Sequence, residues 1–205
     1  MTIRLHRGDL PDLSAYKGAV AIDTETMGLD PHRDRLCVVQ LSPGDGSADV
    51  VQIAAGQTRA PNIERLLADP SRVKIFHFAR FDLGMLARSL GVMAGPVYCT
   101  KIASRIARTY TDKHGLKDIV RELLSIDLSK QQQLSDWGAD ELSDAQVAYA
   151  ATDVLHLHAL KDKLDAMLAR EGRGELAAAC FRFLPDRVRL DMAGWAEQDI
   201  FSHSA

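Results

Sequence analysis

The segment at residues 18–30, GAVAIDTETMGLD, constrains the fold most, because an apolar run leads directly into two acidic residues. The pattern predicts a β-strand over residues 19–24 that is apolar enough to lie in the centre of a sheet. Residues two apart on a strand point to the same face, so Asp23 and Glu25 present their carboxylates together. Two like charges this close repel each other, and partial burial raises the cost. We therefore expect a positive charge between them, unless the strand simply ends in solvent with a polar face.

The rest of the pattern predicts antiparallel strands first and alternating strands and helices afterwards. The turn Pro43-Gly44-Asp45-Gly46 joins two strands into a hairpin, so we expect the chain to open with a meander. Ser143 is a suitable N-cap for a long final helix. This order is typical of an α/β fold in which a mixed sheet packs against helices, here as a single domain. Further strands are predicted at residues 35–42, 48–53, 73–78 and 97–100, and helices at residues 61–68, 81–90, 101–108, 116–124 and 143–169.

The composition fits one domain with a substantial core, since 46% of the 205 residues are hydrophobic and 26% are charged. No apolar run approaches the ~20 residues of a membrane helix and no secretion signal is evident, so we expect a cytoplasmic protein. The net charge is −3, whereas a protein that grips a long nucleic acid usually has a basic face. Cys37, Cys99 and Cys180 are widely spaced, so we expect buried thiols rather than disulfides or a zinc site.

Three further residues are candidates to join the two acids. Asp82 follows another apolar run, IFHFARFD, where the chain leaves a strand and enters a helix. Tyr149 and Asp153 lie four residues apart in a helical segment, which puts the phenol and the carboxylate on one face. Taken singly, Asp82 would more often be a first-turn acid that interacts with the helix dipole. Tyr149 alone would more often be a core residue, and Asp153 a solvated acid.

Four converging carboxylates would form a hard, oxygen-rich site that suits Mg²⁺ or Mn²⁺ and does not suit zinc. Two such ions ~3.5 to 4 Å apart can activate a water, hold a scissile phosphate and stabilise the leaving oxygen. The expected chemistry is hydrolysis of a phosphodiester with two divalent metal ions as cofactors. Spacing alone does not establish that the four carboxylates converge.

The motif order D-x-E, H-x-x-x-x-D after a strand and Y-x-x-x-D on a late helix resembles the DEDD family of 3′-to-5′ exonucleases. Within it, the chain resembles the subgroup with tyrosine in the third motif. The segment LSKQQQLSDWG at residues 128–138 is similar to the segment before the third motif in ribonuclease D relatives. The resemblance implies a ribonuclease H-like (DnaQ-like) fold, a mixed sheet flanked by helices.

The resemblance also implies a role for each matched residue. Asp23, Glu25 and Asp153 bind the catalytic ion, and Asp23 also reaches the second ion. Asp82 supports the site directly or through water. Tyr149 orients the attacking water or helps to deprotonate it.

Along its whole length the chain is similar to the nanoRNase C branch of this family, including residues 31–42, 99–117 and 180–201. This implies hydrolysis of very short RNA, above all dinucleotides such as pGpG, by a ring-shaped homo-octamer. The slightly acidic net charge agrees, because a dinucleotide offers few phosphates and a handful of cations suffices. We place the catalytic domain at residues 1–174 and a helical tail, part of the oligomer interface, at residues 175–205.

Several residues are candidates to contact the substrate. Leu29 stands where oligoribonuclease-like enzymes place a leucine that wedges between two bases, although it could be a loop leucine packed on the domain. His77 either touches substrate or is a satisfied histidine at the sheet edge, and Thr24, between the two acids, is also assigned to substrate. The candidates for the terminal phosphate, each of which could instead belong to a solvated helix–loop–helix, are Arg105, Arg108, His114 and Lys117.

The tail carries more apolar surface than a terminal appendage should expose. Such surface usually marks an interface, although the tail could fold back on its own domain. Its apolar residues are Phe181, Phe183, Leu184, Leu190, Met192, Trp195, Ile200 and Phe201.

Two alternative functions stay open. The first is a ribonuclease D-like exonuclease that processes the 3′ ends of longer RNA or DNA. The second is a non-catalytic nucleic-acid-binding domain, which would gain nothing from crowded carboxylates beside a phosphate.

Overall fold

The strand that carries the two acids lies inside a six-stranded mixed sheet in a computed structural model of the chain, which describes residues 2–129, 132 and 134–203. The strands are β1 (Thr2–Arg7), β2 (Val20–Thr26), β3 (Leu36–Ser42), β4 (Ser47–Gln52), β5 (Lys74–Phe76) and β6 (Val97–Cys99). The helices are α1 (Pro61–Ala68), α2 (Ala79–Leu90), α3 (Thr100–Ala107), α4 (Leu116–Leu124), α5 (Asp144–Leu155), α6 (Leu157–Arg170) and α7 (Gly174–Leu190), followed by a π-helical segment (Asp191–Trp195).

The strand order is β1-β4-β3-β2-β5-β6. β3 pairs antiparallel with both β2 and β4, whereas β1 with β4, β2 with β5 and β5 with β6 are parallel. Every residue of β3 is buried, because strands flank it on both sides and α5 packs against it. The predicted α/β class, with one mixed sheet and packed helices, is confirmed.

The carboxyl ends of β2, β5 and β6 meet at one edge of the sheet, because these three strands are parallel. Regular pairing of β2 with β3 shifts register between Glu25 and Thr26, where β2 leaves the sheet. Ligand sites in open α/β sheets form outside such carboxyl ends. This edge therefore positions the candidate site.

The predicted meander is present as β2, β3 and β4, but the chain does not open with it, because β1 precedes the meander and pairs with β4 at the sheet edge. Arg4, His6 and Tyr16 all contact Asp49 of β4: Arg4 Nε and Tyr16 Oη donate to its carboxylate at 2.7 and 2.6 Å, and His6 Nε2 lies 2.7 Å from it. β1 is polar at alternate positions, and the strand with which it pairs, β4, lies about 45 residues later in the sequence. Local periodicity could not reveal that pairing.

Two other boundaries differ from the predicted ones for identifiable reasons. The strand predicted to reach residue 78 ends at Phe76, because Phe78 adopts a left-handed conformation with φ 70° and α2 begins at the next residue. The helix predicted over residues 143–169 is interrupted at His156 and forms α5 and α6. Ser143 caps α5 as predicted, and its hydroxyl accepts a hydrogen bond from the backbone N–H of Gln146 in a capping box.

Part of the C-terminal tail folds back on its own domain. Phe181 and Leu184 of α7 are buried, and α7 packs on α2 and β6. Leu190 and Met192 are half-buried. The other apolar side chains of the tail, Phe183, Trp195, Ile200 and Phe201, are exposed.

The three cysteines are free thiols, buried at Cys37 and Cys99 and half-buried at Cys180. Among the described residues, none of the helices has both the length and the apolar character needed to cross a membrane.

Candidate metal centre and active site

Two elements bring three carboxylates together at the sheet edge. Asp23 and Glu25 are two apart on β2, and Asp153 comes from α5, which packs across β2, β3 and β4. One carboxylate oxygen of each residue lies within 4.8 Å of the other two. All three side chains are half-buried. The strand alternation and the position of α5 thus assemble three of the four predicted acids.

Asp82 stands behind this cluster in the first turn of α2 and is only 2% exposed. Its carboxylate accepts a hydrogen bond of 2.7 Å from the hydroxyl of Thr24, the residue between Asp23 and Glu25. Thr24 is itself buried. Thr24 thus contacts Asp82 on the face of β2 opposite to Asp23 and Glu25. From the sequence we had expected Thr24 to contact the substrate.

Burial and mutual repulsion raise the pKa of the carboxyl groups. Burial raises the pKa of Glu25 to about 8, helped by Asp153 and Asp82. Burial, followed by the charges of Asp82, Asp153 and Glu25, raises the pKa of Asp23 well above its ordinary value. Burial also raises the pKa of Asp82 and of Asp153, opposed by hydrogen bonds from Thr24 and Tyr149 respectively.

Among the described residues, no side chain supplies the expected positive charge. In the part of the chain that the structure describes, none of the four carboxylates forms an ion pair with a lysine, arginine or histidine. A cluster of carboxylate oxygens without sulfur or imidazole donors fits a hard divalent cation such as Mg²⁺. Such an ion would offset the repulsion and lower the raised pKa values.

Tyr149 lies one helical turn before Asp153 on the same face of α5, as predicted. Its ring packs 6.1 Å from that of Trp137, measured between centroids, and its interaction with Asp153 opposes the rise in the pKa of that carboxyl group. Burial and the charges of Asp153, Glu25 and Asp23 raise the pKa of Tyr149. The phenol therefore keeps its proton beside the carboxylates.

A cleft of about 340 Å³ opens in front of the carboxylates. Two predicted substrate residues, His77 and Lys117, line it, and so do Phe78 and Lys101, which the sequence interpretation missed. His77 and Phe78 directly follow β5, and Lys101 lies just after β6. Because β5 and β6 are parallel to β2, residues that follow them converge on the same edge, and this was the available signal.

Phe78 and Lys101 form a pair on the cleft wall. The ammonium of Lys101 lies 4.2 Å from the centroid of the Phe78 ring, a cation–π contact. Phe78 is exposed and holds a left-handed conformation that is costly for a bulky residue. Strain of this kind is concentrated at functional sites.

The other predicted substrate residues lie outside the lining of the cleft. Arg108 is fully buried and donates to Glu122, to Ser104 Oγ at 2.8 Å and to the Lys113 carbonyl at 2.9 Å, so we correct its assignment from phosphate ligand to structural residue. His114 Nδ1 lies 2.9 Å from the same Ser104 hydroxyl.

Two further candidates are exposed. Arg105 lies on the surface of α3, and Leu29 is 83% exposed in the loop that follows β2. Leu29 is thus not packed on the domain, which removes the alternative reading of a buried loop leucine.

The segment at residues 128–138 borders the cleft. Leu128 and Ser129 line the cleft and Trp137 packs beside Tyr149. Lys130, Gln131 and Gln133 of this segment lie outside the described residues.

Comparisons with known proteins agree with this geometry. Residues 10–169 match the family model of the 3′-5′ exonucleases. Ribonuclease D of Gluconacetobacter diazotrophicus is 37% identical over 167 residues, which are 82% of this chain and 42% of that protein. The chain therefore spans about two fifths of the length of this curated relative.

Solved structures extend the likeness. Brucella melitensis NrnC with bound Mg²⁺ is 62% identical with a TM-score of 0.96, and NrnC bound to pGG is 63% identical with a TM-score of 0.97; both chains are covered in full. Escherichia coli ribonuclease D has a TM-score of 0.78 at 24% identity, over 90% of this chain and 49% of that one, which shows a shared fold. The chain belongs to the 3′-5′ exonuclease family.

Proposed function

We propose that the protein is a metal-dependent 3′-5′ exoribonuclease that hydrolyses very short RNA, preferentially 5′-phosphorylated diribonucleotides such as pGpG, to mononucleotides. The observation that carries the proposal is the carboxylate cluster of Asp23, Glu25 and Asp153, with oxygens within 4.8 Å of one another at the mouth of a cleft. The full-length similarity to NrnC, solved with pGG, supports the substrate class.

The carboxylates would hold two divalent ions, Mg²⁺ or Mn²⁺, which when bound supply an activated water and stabilise the leaving oxygen. Asp23, Glu25 and Asp153 would hold the catalytic ion, and Asp23 would also reach the second ion. Asp82 would support the site directly or through water, and the Thr24 hydroxyl donates to its carboxylate at 2.7 Å. Donor chemistry fits a divalent ion, since each residue contributes a carboxylate oxygen, and the individual roles are those that the resemblance to the DEDD family implies.

Tyr149 orients the attacking water. It lies one helical turn before Asp153 on the same face of α5, and in the metal-free protein its raised pKa keeps the phenol protonated, so its oxygen can accept a hydrogen bond from the water. We therefore favour positioning over proton abstraction for this residue. Positioned groups of this kind typically contribute roughly 10²- to 10⁴-fold.

The opposite wall of the cleft offers cations and an aromatic surface. Lys101 and Lys117 line the cleft and can contact phosphate, and Arg105 of α3 and His114 of the α3–α4 loop stay candidates outside this lining. Few cations suffice for a dinucleotide, which agrees with the net charge of −3. The exposed ring of Phe78 provides a stacking surface for a base, which tolerates any sequence.

Leu29 would wedge between the two bases. It is 83% exposed, six residues after Asp23 in the loop beyond β2, and an apolar side chain held in solvent gains free energy when a base covers it. Leu29 and the cations for the terminal phosphate stand at a fixed separation, so both can contact the substrate only when it has the matching length. This combination would favour dinucleotides over longer RNA.

A homo-oligomer, in the form of a ring-shaped octamer, is the expected assembly. Phe183, Trp195, Ile200 and Phe201 leave apolar surface exposed near the C-terminal end, and Phe183 and Phe201 contact each other with centroids 5.9 Å apart. Contiguous apolar patches of this kind mark interaction surfaces.

The second candidate function is 3′-end processing of longer RNA or DNA. The identity of 37% to a ribonuclease D favours it. Turnover of pGG and of a labelled 24-mer with Mg²⁺ separates the two functions. We expect much faster cleavage of pGG. Equal rates on both substrates would instead support the ribonuclease D-like function.

A leucine variant sharpens this comparison. Leu29→Ala should lower turnover of pGG by roughly 10-fold or more, because base stacking is worth about 1 to 3 kcal/mol. Leu5→Ala, at an exposed leucine of β1, is the matched control and should have no effect. Equal behaviour of the two variants would remove the wedge from the proposal.

A further inference from the structure

A chain of two hydrogen bonds fixes which nitrogen of His77 carries its proton. Thr100, the first residue of α3, donates its hydroxyl proton to the carbonyl oxygen of Phe76, at 3.2 Å. The same Thr100 oxygen lies 2.9 Å from His77 Nδ1. A hydroxyl has one proton to give, so Thr100 can only accept from His77. Nδ1 therefore carries the hydrogen, and Nε2 is left with a lone pair.

His77 is neutral, so Nε2 is a hydrogen-bond acceptor at any pH used for activity measurements. Burial, helped by the nearby charge of Lys101, lowers the pKa of His77 to about 3. Nε2 has no hydrogen-bond partner among the described residues, and His77 lines the carboxylate cleft. The ring thus adds one more acceptor to a cleft that is already rich in acceptors.

A ligand must bring the hydrogen to such an acceptor. The phosphates of a nucleotide only accept hydrogen bonds, whereas the ribose hydroxyls can donate them. The ribose is bonded directly to the scissile phosphate, which the carboxylate site would hold, so its hydroxyls would lie closer to the carboxylates than the N–H donors of the bases. A buried polar group left unpaired by the wrong ligand is costly, which turns an acceptor into a selectivity device.

We propose that His77 Nε2 accepts a hydrogen bond from a ribose hydroxyl of the terminal nucleotide, and that Thr100 is the positioning residue that holds His77 in the accepting tautomer. The inference rests on the proposed exonuclease function and adds to it a means of recognising ribose. The 2′ and 3′ hydroxyls share this chemistry, and the experiment distinguishes them.

The test compares pGG with two analogues that lack either the 2′ or the 3′ hydroxyl on the 3′ nucleotide. The wild-type protein should lose about tenfold in kcat/KM on one analogue, which identifies the hydroxyl, because one hydrogen bond is worth about that much. His77→Leu should lower kcat/KM for pGG about tenfold and leave the sensitive analogue within about twofold. His77→Gln, which offers a carbonyl oxygen, should restore part of the preference.

Thr100 is tested by the same ratio. Thr100→Val removes the hydroxyl and should weaken the preference for the intact ribose, whereas Thr100→Ser keeps the hydroxyl and should retain it. Nitrogen NMR of the full-length, histidine-labelled protein should show a protonated Nδ1 and a bare Nε2 for the resonance that His77→Gln deletes. A protonated Nε2 would overturn the inference.

Two kinetic outcomes also contradict it. If His77→Leu lowers kcat/KM equally for pGG and for both analogues, the histidine is a structural residue. If the wild-type protein has the same kcat/KM for pGG and for both analogues, Nε2 accepts no hydrogen bond from a ribose hydroxyl. Failure of the proposed function is distinct, because it would appear as no Mg²⁺-dependent hydrolysis of any of the three dinucleotides.

Discussion

Glu25 shows, at the scale of one residue, how the crowded carboxylates lower the stability of the fold when no cation is bound. Its pKa is raised from 4.5 to about 8 in the folded chain, so the folded protein binds more protons than the unfolded one between these values. Stability must then fall as pH rises through this range. In EDTA, we expect the free energy of unfolding to decrease from about pH 4.5 to pH 8.

Glu25→Gln should remove part of that decrease. The stability of the variant relative to wild type should grow with pH by up to about 1.4 kcal/mol per pH unit, measured by urea denaturation in EDTA. Glu141→Gln, at an exposed glutamate, is the control. If the difference in free energy of unfolding between Glu25→Gln and wild type stays constant from pH 4.5 to pH 8, the raised pKa of Glu25 is contradicted.

Tyr149 is assigned to positioning of the attacking water, so removal of its hydroxyl should slow chemistry without loosening metal binding. We expect Tyr149→Phe to lower kcat roughly 10²- to 10⁴-fold. Tyr98→Phe, in a separate cleft beside α7, provides the control. Single-turnover rates within about twofold of wild type would reduce Tyr149 to a packing residue.

The pairing of these site residues could be predicted from the sequence, because the periodicity of a strand or a helix depends only on residues close together in the chain. A spacing of two on β2 and of four on α5 is enough to place Asp23 with Glu25 and Tyr149 with Asp153. Lys101 was missed, because its place depends on β6 lying parallel to β5, a long-range pairing. Arg108 was misassigned, because nothing in its neighbours revealed that Glu122, fourteen residues away, would hold it inside the protein.

At the scale of elements, the β3–β4 turn and α6 meet at one glycine. Gly44 has φ +88°, and a Cβ there would lie 2.8 Å from the ring of His158, which bonds the Ala19 carbonyl beside β2. Gly46 has φ +85° with open space around it. Gly46→Ala should cost about 1 kcal/mol of backbone strain. Gly44→Ala should cost about 1 kcal/mol more in denaturation experiments, because it also displaces His158; equal costs would contradict this packing.

The π-helical segment is tied to α2 through one aspartate. Asp191 accepts from Arg80, at 2.5 and 2.7 Å, and from Arg187, at 2.6 and 2.9 Å. Asp191→Ala should lower the free energy of unfolding by about 1 to 3 kcal/mol. Asp186→Ala breaks an exposed pair with Arg189 and should cost less than about 1 kcal/mol. Equal melting temperatures for the two variants would show that the tie is dispensable.

Element prediction succeeded where apolar periodicity agrees with a start signal, as for α1, which begins at Pro61, and for α5, which Ser143 caps. It failed at β1, whose stability comes from pairing with β4 and from Asp49, and at the long helix, which His156 interrupts without any glycine or proline. Phe78 is another case, because its left-handed backbone contradicts its own local preference. These are positions where tertiary contacts override the local sequence.

At the scale of the molecule, one sheet edge, three carboxylates and a short cleft form a site at which the protein is proposed to hydrolyse a dinucleotide with bound divalent ions. The fold brings the carboxyl ends of β2, β5 and β6 to the same place, and α5 closes the site from the other side. Family membership agrees with the chemistry of the donors.

The most direct test is Mg²⁺-dependent hydrolysis of pGG by the intact protein and by two aspartate variants. Wild type should release mononucleotides with Mg²⁺ and none in excess EDTA, and Asp162→Asn, at an exposed aspartate of α6, should behave like wild type. Asp153→Asn should lose roughly 10³-fold or more, because a metal site supplies several kcal/mol of transition-state stabilisation. Full activity in EDTA, or an Asp153→Asn variant as active as Asp162→Asn, would contradict the account.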